Sequence, residues 1–179
     1  MVADIVSPDS TLKEVDMIFR LTTKLAKKLH TALPKVLPAD PNPFADWSAH
    51  LFTADRAQYI LISNTASLYS MVMFGKGIAD DCAFLDRATR NMGEVLREDG
   101  LTFFWEKFVS TGAARVSFSK AWSRSVTGSM NDLVFQAKFY LIERELSPFD
   151  VSFELNQTPM SYLNYNYPRD AFRNLFKMG

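Results

Sequence analysis

Apolar and polar residues recur along the first part of the chain in the periods typical of strands and helices. The apolar run Met17–Leu21 predicts a strand. The spacing that follows predicts a helix from Thr22 or Thr23 to about Leu33, because Pro34 stops it. The chain therefore opens with a strand and a helix.

Three further strands are predicted after a proline-rich stretch. Residues 34–46 hold four prolines and no apolar period, which favours extended chain without regular structure. Apolar runs then predict strands at Ser48–Ala54, Gln58–Ser63 and Leu68–Phe74. Their short connections predict an antiparallel meander. The third run is apolar on nearly both sides, so we expect a central strand that is covered on both faces.

The second half of the chain is dominated by helical spacing. It predicts a helix from Asp80 or Asp81 up to Gly100, a shorter helix at Leu101–Val109 and a strand at Ala114–Lys120. A long helix that begins just after Gly128 follows, with its apolar positions from Met130 to about Glu145, and the last helix is predicted at Pro168–Phe176. The segment Val151–Leu155 fits either a strand or a helix.

This order of elements determines the predicted fold class. Strands adjacent in sequence, with helices grouped after them, predict an α+β fold. We expect an antiparallel sheet of four or five strands with helices packed mainly on one face. Residues 1–15 are polar and aperiodic and are predicted to form a loose N-terminal arm. Residues 16–179 fit a single domain.

Composition and charge narrow the function classes. Twenty basic and twenty acidic residues cancel, which gives no sequence-independent attraction to nucleic acid or anionic lipid. One cysteine and two histidines are too few for a disulfide or a His/Cys metal set, so we predict no metal and no cofactor. The sequence has neither an 18-residue apolar run nor a signal-peptide pattern. We therefore expect a cytoplasmic protein outside the membrane.

The segment Arg124–Asp132, which leads into the long helix, is the candidate binding site. Unpaired amides at a helix start attract anions, a glycine lets a ligand approach the backbone, and an arginine adds a guanidinium fork for a carboxylate or phosphate. The candidate residues are Arg124, Ser125, Gly128, Ser129, Asn131 and Asp132, with Trp47 and His50 beside them. The alternative is structural: Ser125, Thr127 or Ser129 caps the helix, and Arg124 pairs with a carboxylate.

Catalytic patterns are weaker than this binding pattern. Ser129 with His50 and Asp132 lacks the Gly-x-Ser-x-Gly elbow of a hydrolase, and no carboxylate pair stands in an apolar context. We assign no catalytic residue and expect a non-enzyme. The prediction is a binding or interaction module whose partner is a protein, a small anionic ligand or a second copy. The alternative is a nucleotide- or nucleic-acid-acting protein that uses Arg124 and Gly128-Ser129, with Trp47 or Tyr165 stacking on bases.

Five stretches in a characteristic order resemble an uncharacterised bacterial family, a domain of unknown function. They are Arg20–Leu25 with Lys28-Leu29, Asp46–Leu51, Tyr59–Asn64, Arg124–Asp132 (Arg-Ser-Val-Thr-Gly-Ser-Met-Asn-Asp), and Leu155–Met160 (Leu-Asn-Gln-Thr-Pro-Met) followed by Tyr167-Pro168. The resemblance covers about Met17 to Phe176. It implies a small bacterial domain without an assigned reaction, sometimes attached to domains of plasmids or mobile elements. It transfers no catalytic residue.

Overall fold

A mixed five-stranded sheet forms the centre of the fold. The computed structural model describes residues 16–33 and 35–178, so the predicted arm at residues 1–15 lies outside the described residues. The strands within the described part are β1 (Met17–Leu21), β2 (Asp46–Ala54), β3 (Ala57–Asn64), β4 (Ser70–Phe74) and β5 (Val116–Lys120). Their order across the sheet is β4-β3-β2-β1-β5.

The predicted meander is confirmed. β2 pairs antiparallel with β3, and β3 pairs antiparallel with β4. The turn between β2 and β3 consists of Asp55 and Arg56, with φ angles of 42° and 64°. Two successive left-handed residues match the right-handed twist of a tight hairpin, although glycine or asparagine is the usual occupant. Local sequence was sufficient to predict this half of the sheet.

The sheet is mixed and not purely antiparallel, because β1 runs parallel to both of its neighbours, β2 and β5. Parallel neighbours need a long crossover. Helix α1 (Thr23–Leu29) and the proline-rich stretch provide the crossover from β1 to β2. Helices after β4 bring the chain back to β5 beside β1. The α+β class itself is confirmed.

Five more α-helices follow α1 within the described residues. They are α2 (Asp81–Glu98), α3 (Thr102–Phe104), α4 (Arg124–Ile142), α5 (Pro148–Asn156) and α6 (Pro168–Asn174). The segment α3 continues through a π-helical turn at Trp105–Val109 and a 3₁₀ turn at Ser110–Ala114. Helix α1 ends four residues earlier than predicted, because His30 takes a left-handed φ of 53°. The segment Val151–Leu155, which fitted either a strand or a helix, is helical and forms part of α5.

Alternating residues of the strands supply two hydrophobic layers. On one face Phe19, Trp47 and Ile60 join a large cluster with residues of α1, α2 and α6. On the other face Phe52 and Leu61 join a smaller cluster with residues of α4 and α5. The side-chain period of two along each strand produces this division. Most helices thus pack on one face, as predicted, and α4 covers the other together with part of α5.

Helix α5 lies against the outer edge of β4. The Ser152 hydroxyl accepts a hydrogen bond from the Val72 N–H at 2.9 Å. The Asn156 side chain accepts from the Ser70 N–H at 2.7 Å and donates to the Ser70 carbonyl at 2.8 Å. β4 is therefore an edge strand whose missing partner is replaced by helix side chains, and not the central strand that its apolar sequence predicted.

Candidate functional site

The candidate segment Arg124–Asp132 is helical from its first residue. Ser123 is the N-cap of α4, and its hydroxyl accepts from the Val126 N–H at 3.2 Å. The Thr127 N–H already donates to the Ser123 carbonyl at 3.1 Å. The prediction of a helix that begins after Gly128 is wrong, because Ser123 caps it five residues earlier. Gly128 and Ser129 lie in the second turn and not at the helix mouth.

The hydroxyls of this segment are used by the protein's own backbone. Thr127 Oγ1 donates to the Ser123 carbonyl at 2.9 Å, and Ser129 Oγ donates to the Ser125 carbonyl at 3.1 Å. Ser129 is also buried. Such bonds to the carbonyl four residues back satisfy the hydroxyl hydrogens inside the helix. Thr127 and Ser129 are therefore accounted for without a ligand, but the N-cap is Ser123 and not Ser125, Thr127 or Ser129 as the structural alternative predicted.

An open surface remains at the start of α4. Trp122, Arg124, Gly128 and Asn131 line a shallow cavity of about 400 Å³. A Cβ added at Gly128 would contact nothing within 4 Å. Trp122 is 42% exposed, and the guanidinium carbon of Arg20 lies 4.7 Å from the centre of its ring. This surface combines a guanidinium, an amide and an aromatic plane around a residue without a side chain.

The other candidate residues lie in three different environments. Ser125 and Asp132 are exposed on α4. Trp47 is fully buried on the opposite face of the sheet, where its indole N–H donates to the Phe44 carbonyl at 2.8 Å. His50 lies on β2, on the face that α4 covers. The structure thus does not bring Trp47 together with Arg124.

His50 is the titratable group that is perturbed on this face of the sheet. Its pKa is lowered below the ordinary value by burial and, to a smaller extent, by the positive charges of Lys24 and Lys138. Its Nδ1 has no hydrogen-bond partner among the described residues. Neither His50 nor His30 makes a side-chain hydrogen bond to a hydroxyl or thiol in residues 16–33 and 35–178. The grouping of Ser129 with His50 and Asp132 is not assembled there.

The outer side of α4 carries a stripe of exposed apolar residues. Phe135 is 77% exposed, Phe139 is 46% exposed and Ile142 is 45% exposed. Spacings of four and three residues place them on one side of the helix, in line with Gly128. Sequence reasoning missed this stripe because the inward positions of α4 carry a stronger apolar period. The 4-3 spacing of these outer residues was the signal that could have revealed it.

The family comparison agrees with the predicted resemblance. The model of a domain of unknown function, DUF6933, matches residues 18–171. The chain belongs to the DUF6933 family. The match extends from β1 into α6 and includes every candidate residue named above. No curated protein and no solved structure matches the chain.

The DUF6933 domain also contains a buried ion pair that sequence reasoning missed. Two guanidinium nitrogens of Arg20 each donate to a carboxylate oxygen of Asp46 at 2.7 Å. The same guanidinium donates to the carbonyls of Leu37 and Pro38 at 2.8 and 3.0 Å. Leu37 also donates its N–H to the Ser119 hydroxyl at 2.9 Å. This network fixes the proline-rich stretch against the polar part of the sheet.

One group of side chains in the DUF6933 domain has the spacing of metal ligands, but its carboxylates already bind the protein's own backbone. Among the described residues, ligand atoms of Asp80, Asp81 and Cys82 lie within 4.8 Å of one another. Asp80 already caps α2 by accepting from the Ala83 N–H, and Asp81 accepts from the Cys82 N–H. The negative charge of Asp81 raises the pKa of the Cys82 thiol. None of the described helices has the length and hydrophobicity needed to cross a membrane.

Proposed function

We propose that this DUF6933 protein is a non-catalytic interaction module that pairs with a second copy of itself through the outer side of α4. The observation that carries the proposal is the exposed stripe of Phe135, Phe139 and Ile142. Isolated exposed apolar residues are common, but a contiguous row on one helix is typical of an interface. The proposed interface is named the α4 stripe and comprises Gly128, Phe135, Phe139 and Ile142.

The spacing of the α4 stripe favours a second copy as the partner. Gly128 and Ile142 lie seven residues before and after Phe135, about 10 Å along the helix in each direction. If two α4 helices meet antiparallel with Phe135 on the twofold axis, each Ile142 faces the open Gly128 of the other copy. An isologous interface requires this kind of self-complementarity.

The charges along α4 favour the same antiparallel arrangement. Arg124 lies in the first turn, at the positive end of the helix dipole, while Glu143 and Glu145 lie at the negative end. Each charge is unfavourably placed within its own helix. Antiparallel pairing places Arg124 of one copy beside Glu143 and Glu145 of the other. The two helix dipoles then point in opposite directions, an arrangement that is also electrostatically favourable.

Substitution of Phe135 tests the interface. We expect the wild-type protein to be dimeric and Phe135→Asp to be monomeric, because the twofold axis would bring two carboxylates together in an apolar contact. Light scattering coupled to size-exclusion chromatography over a range of protein concentrations measures the mass. Phe176→Ser is the matched control, since Phe176 is similarly exposed but lies near the C-terminus. A wild-type protein that stays monomeric at high micromolar concentration contradicts the proposal.

Gly128→Trp separates an effect on the interface from an effect on folding. A Cβ added at Gly128 meets nothing within 4 Å and the side chain starts on an open surface, so the fold and the helix content should be preserved. In the dimer the added ring occupies the position proposed for Ile142 of the second copy, and the protein should become monomeric. A Gly128→Trp protein that remains dimeric excludes the antiparallel arrangement. Dissociation on adding a different protein would identify another occupant of the stripe.

A second candidate function is binding of a nucleotide or single-stranded nucleic acid at the start of α4. The observation that favours it is the exposed Trp122 beside Arg124 in the same open cavity. An aromatic plane next to a guanidinium suits a base and its phosphate. Salt-dependent retention on immobilised oligonucleotides, lost in both Arg124→Ala and Trp122→Ala, is the expected result. Equal retention of wild type and both variants would exclude this site.

A further inference from the structure

A second cavity, separate from α4's outer side, lies at the uncovered end of the edge strand β4. Its volume is about 620 Å³, within the range of small-ligand sites. It is lined by β4 residues 72–74, by Arg87, Arg90 and Asn91 of α2, and by Ser147–Phe149 at the start of α5. The cavity therefore combines backbone of an open sheet edge with cationic side chains.

The backbone groups of β4 that face outward are determined by its pairing with β3. Gly75 N–H donates to the Gln58 carbonyl, and Asn64 N–H donates to the Tyr69 carbonyl, so both pairs are hydrogen-bonded. In an antiparallel ladder hydrogen-bonded and non-bonded pairs alternate. Residues 70, 72 and 74 consequently direct both their N–H and their C=O away from β3.

Most of these outward groups already have partners. Asn156 binds both groups of Ser70, and the Ser152 hydroxyl accepts from the Val72 N–H. Arg87 Nη1 donates to the Phe74 carbonyl at 3.1 Å. The Val72 carbonyl and the Phe74 N–H have no partner among the described residues. One acceptor and one donor thus remain open at the wall of the cavity.

This pair of open groups selects both the direction and the length of an added strand. An antiparallel neighbour would exchange both of its bonds with one residue, but Val72 and Phe74 each have one group occupied. A parallel neighbour places one residue between them, its N–H on the Val72 carbonyl and its C=O on the Phe74 N–H. Helix α5 covers the edge before Val72, and Arg87 occupies it after Phe74. The slot accepts the backbone of one residue.

The charges beyond Phe74 favour a carboxylate at the end of that residue. A chain parallel to β4 runs from Val72 toward Phe74, so its C-terminal end approaches Arg87. Lys76 and Arg87 line the cavity together with a single acid, Glu94, and with Arg90, which is paired with Asp86. Arg87 Nη1 also donates to the Lys76 carbonyl at 2.6 Å, which holds the guanidinium at the end of the slot.

Asn91 supplies an additional polar contact inside the cavity. Its Oδ1 is buried and has no hydrogen-bond partner among the described residues. A buried acceptor without a donor destabilises the folded protein. An N–H or hydroxyl of a bound molecule would satisfy it, so the site is polar on the α2 side and apolar along Pro148 and Phe149.

We propose that this cavity binds the C-terminal residue of an extended peptide, or an N-acylated amino acid, which share an amide followed by a free carboxylate. The ligand residue adds to β4 in parallel between Val72 and Phe74, and its carboxylate accepts from the Phe74 N–H and the Arg87 guanidinium. This mode resembles strand addition to a sheet edge, shortened to one residue.

Hexapeptides randomised at their last two positions test the proposal. One library carries a free C-terminal carboxylate and the other a carboxamide, and both are passed over the immobilised full-length protein. We expect the free acids to be retained about tenfold or more over the amides, because the lost charge removes a charge-assisted contact. Competition by N-acetylated single amino acids then shows whether one residue is sufficient. Equal retention of acids and amides, or no retention of either, overturns the proposal.

Two substitutions assign the bound peptides to this cavity. Phe74→Pro removes the outward N–H without removing a bond to β3, and an edge strand tolerates proline at such a position. We expect it to abolish the preference for free acids, while Phe74→Ala, which keeps the N–H, preserves it. Arg87→Gln should lower retention of the acids about tenfold even if the proline variant fails to fold. Acid-selective retention that is unchanged in Arg87→Gln contradicts the assignment. Because neither variant alters the α4 stripe, the result does not depend on the proposed dimer.

Discussion

Replacing Arg20 by alanine should lower the free energy of unfolding by about 3–5 kcal/mol, because it leaves the Asp46 carboxylate buried without its partner. The side chain of Arg20 is fully buried and that of Asp46 is 6% exposed. Both carboxylate oxygens of Asp46 accept from Arg20, and the bond that remains to them among the described residues is a long one, from the Asp40 N–H at 3.4 Å. The carbonyls of Leu37 and Pro38 lose their donor as well.

Urea unfolding followed by circular dichroism measures this loss, with Arg90→Ala as the matched control. Arg90 pairs with Asp86 at the same distance of 2.7 Å, but both side chains are largely exposed. Such exposed pairs contribute about 0.2–1 kcal/mol. The double variant Arg20→Met/Asp46→Leu should lose less stability than Arg20→Ala, since no buried charge is stranded. If Arg20→Ala costs no more than Arg90→Ala, the ion pair does not hold the proline-rich stretch in place.

The burial of Arg20 is a feature of this fold that the sequence pattern did not predict. It is the only charged residue in the apolar run of β1, and alternation alone allows such a residue to face water. Its burial depends on Asp46, which is 26 residues away, and on Ser119, which is 99 residues away. Local patterns contain no information about contacts at that separation. The polar core of the sheet was therefore not predictable from periodicity.

The strand pairings also differ in whether the local sequence specifies them. Tight turns specify their own pairing, so the β2-β3-β4 meander followed from the sequence. β1 and β5 meet only after long crossovers, and nothing near either strand specifies the direction of pairing. The apolar run of β4 predicted complete burial, which is correct for Val72 and Met73. It could not show that a helix, and not a further strand, covers the edge.

The position of the candidate segment on the surface was predicted in part. The chain segment that contains Arg124 and Gly128 does present open surface, but its helix begins earlier than its strongest apolar residues indicated. Val126, four residues before Met130, is buried and extends the same apolar stripe backward. Several serine and threonine residues near the start of α4 are suitable N-caps. Which of them caps the helix depends on the backbone geometry, which the residue types alone do not show. Trp47 and His50 lie three residues apart on β2, so the alternation of side chains places them on opposite faces, with Trp47 on the face away from α4.

Asn156→Leu should cost about 2–6 kcal/mol and should also increase self-association. Asn156 is 1% exposed, and its amide binds both backbone groups of the fully buried Ser70. Leucine fills a similar volume but leaves a buried N–H and a buried carbonyl unpaired, each at a cost of about 1–3 kcal/mol. Ser152 would then supply the remaining hydrogen bond between α5 and β4. A sheet edge that loses its cover becomes available to other chains.

Hydrogen exchange and urea unfolding together test the role of Asn156. In Asn156→Leu the Ser70 amide should exchange faster by an amount that exceeds the global loss of stability, because its bond is lost in the folded state as well. Asn174→Leu is the control, since Asn174 is exposed on α6 and its substitution should change stability by less than about 0.5 kcal/mol. An unchanged exchange rate of the Ser70 amide in Asn156→Leu would mean that α5 covers β4 through apolar packing alone. The same substitution would then leave the sheet edge at Ser70 closed to additional strands.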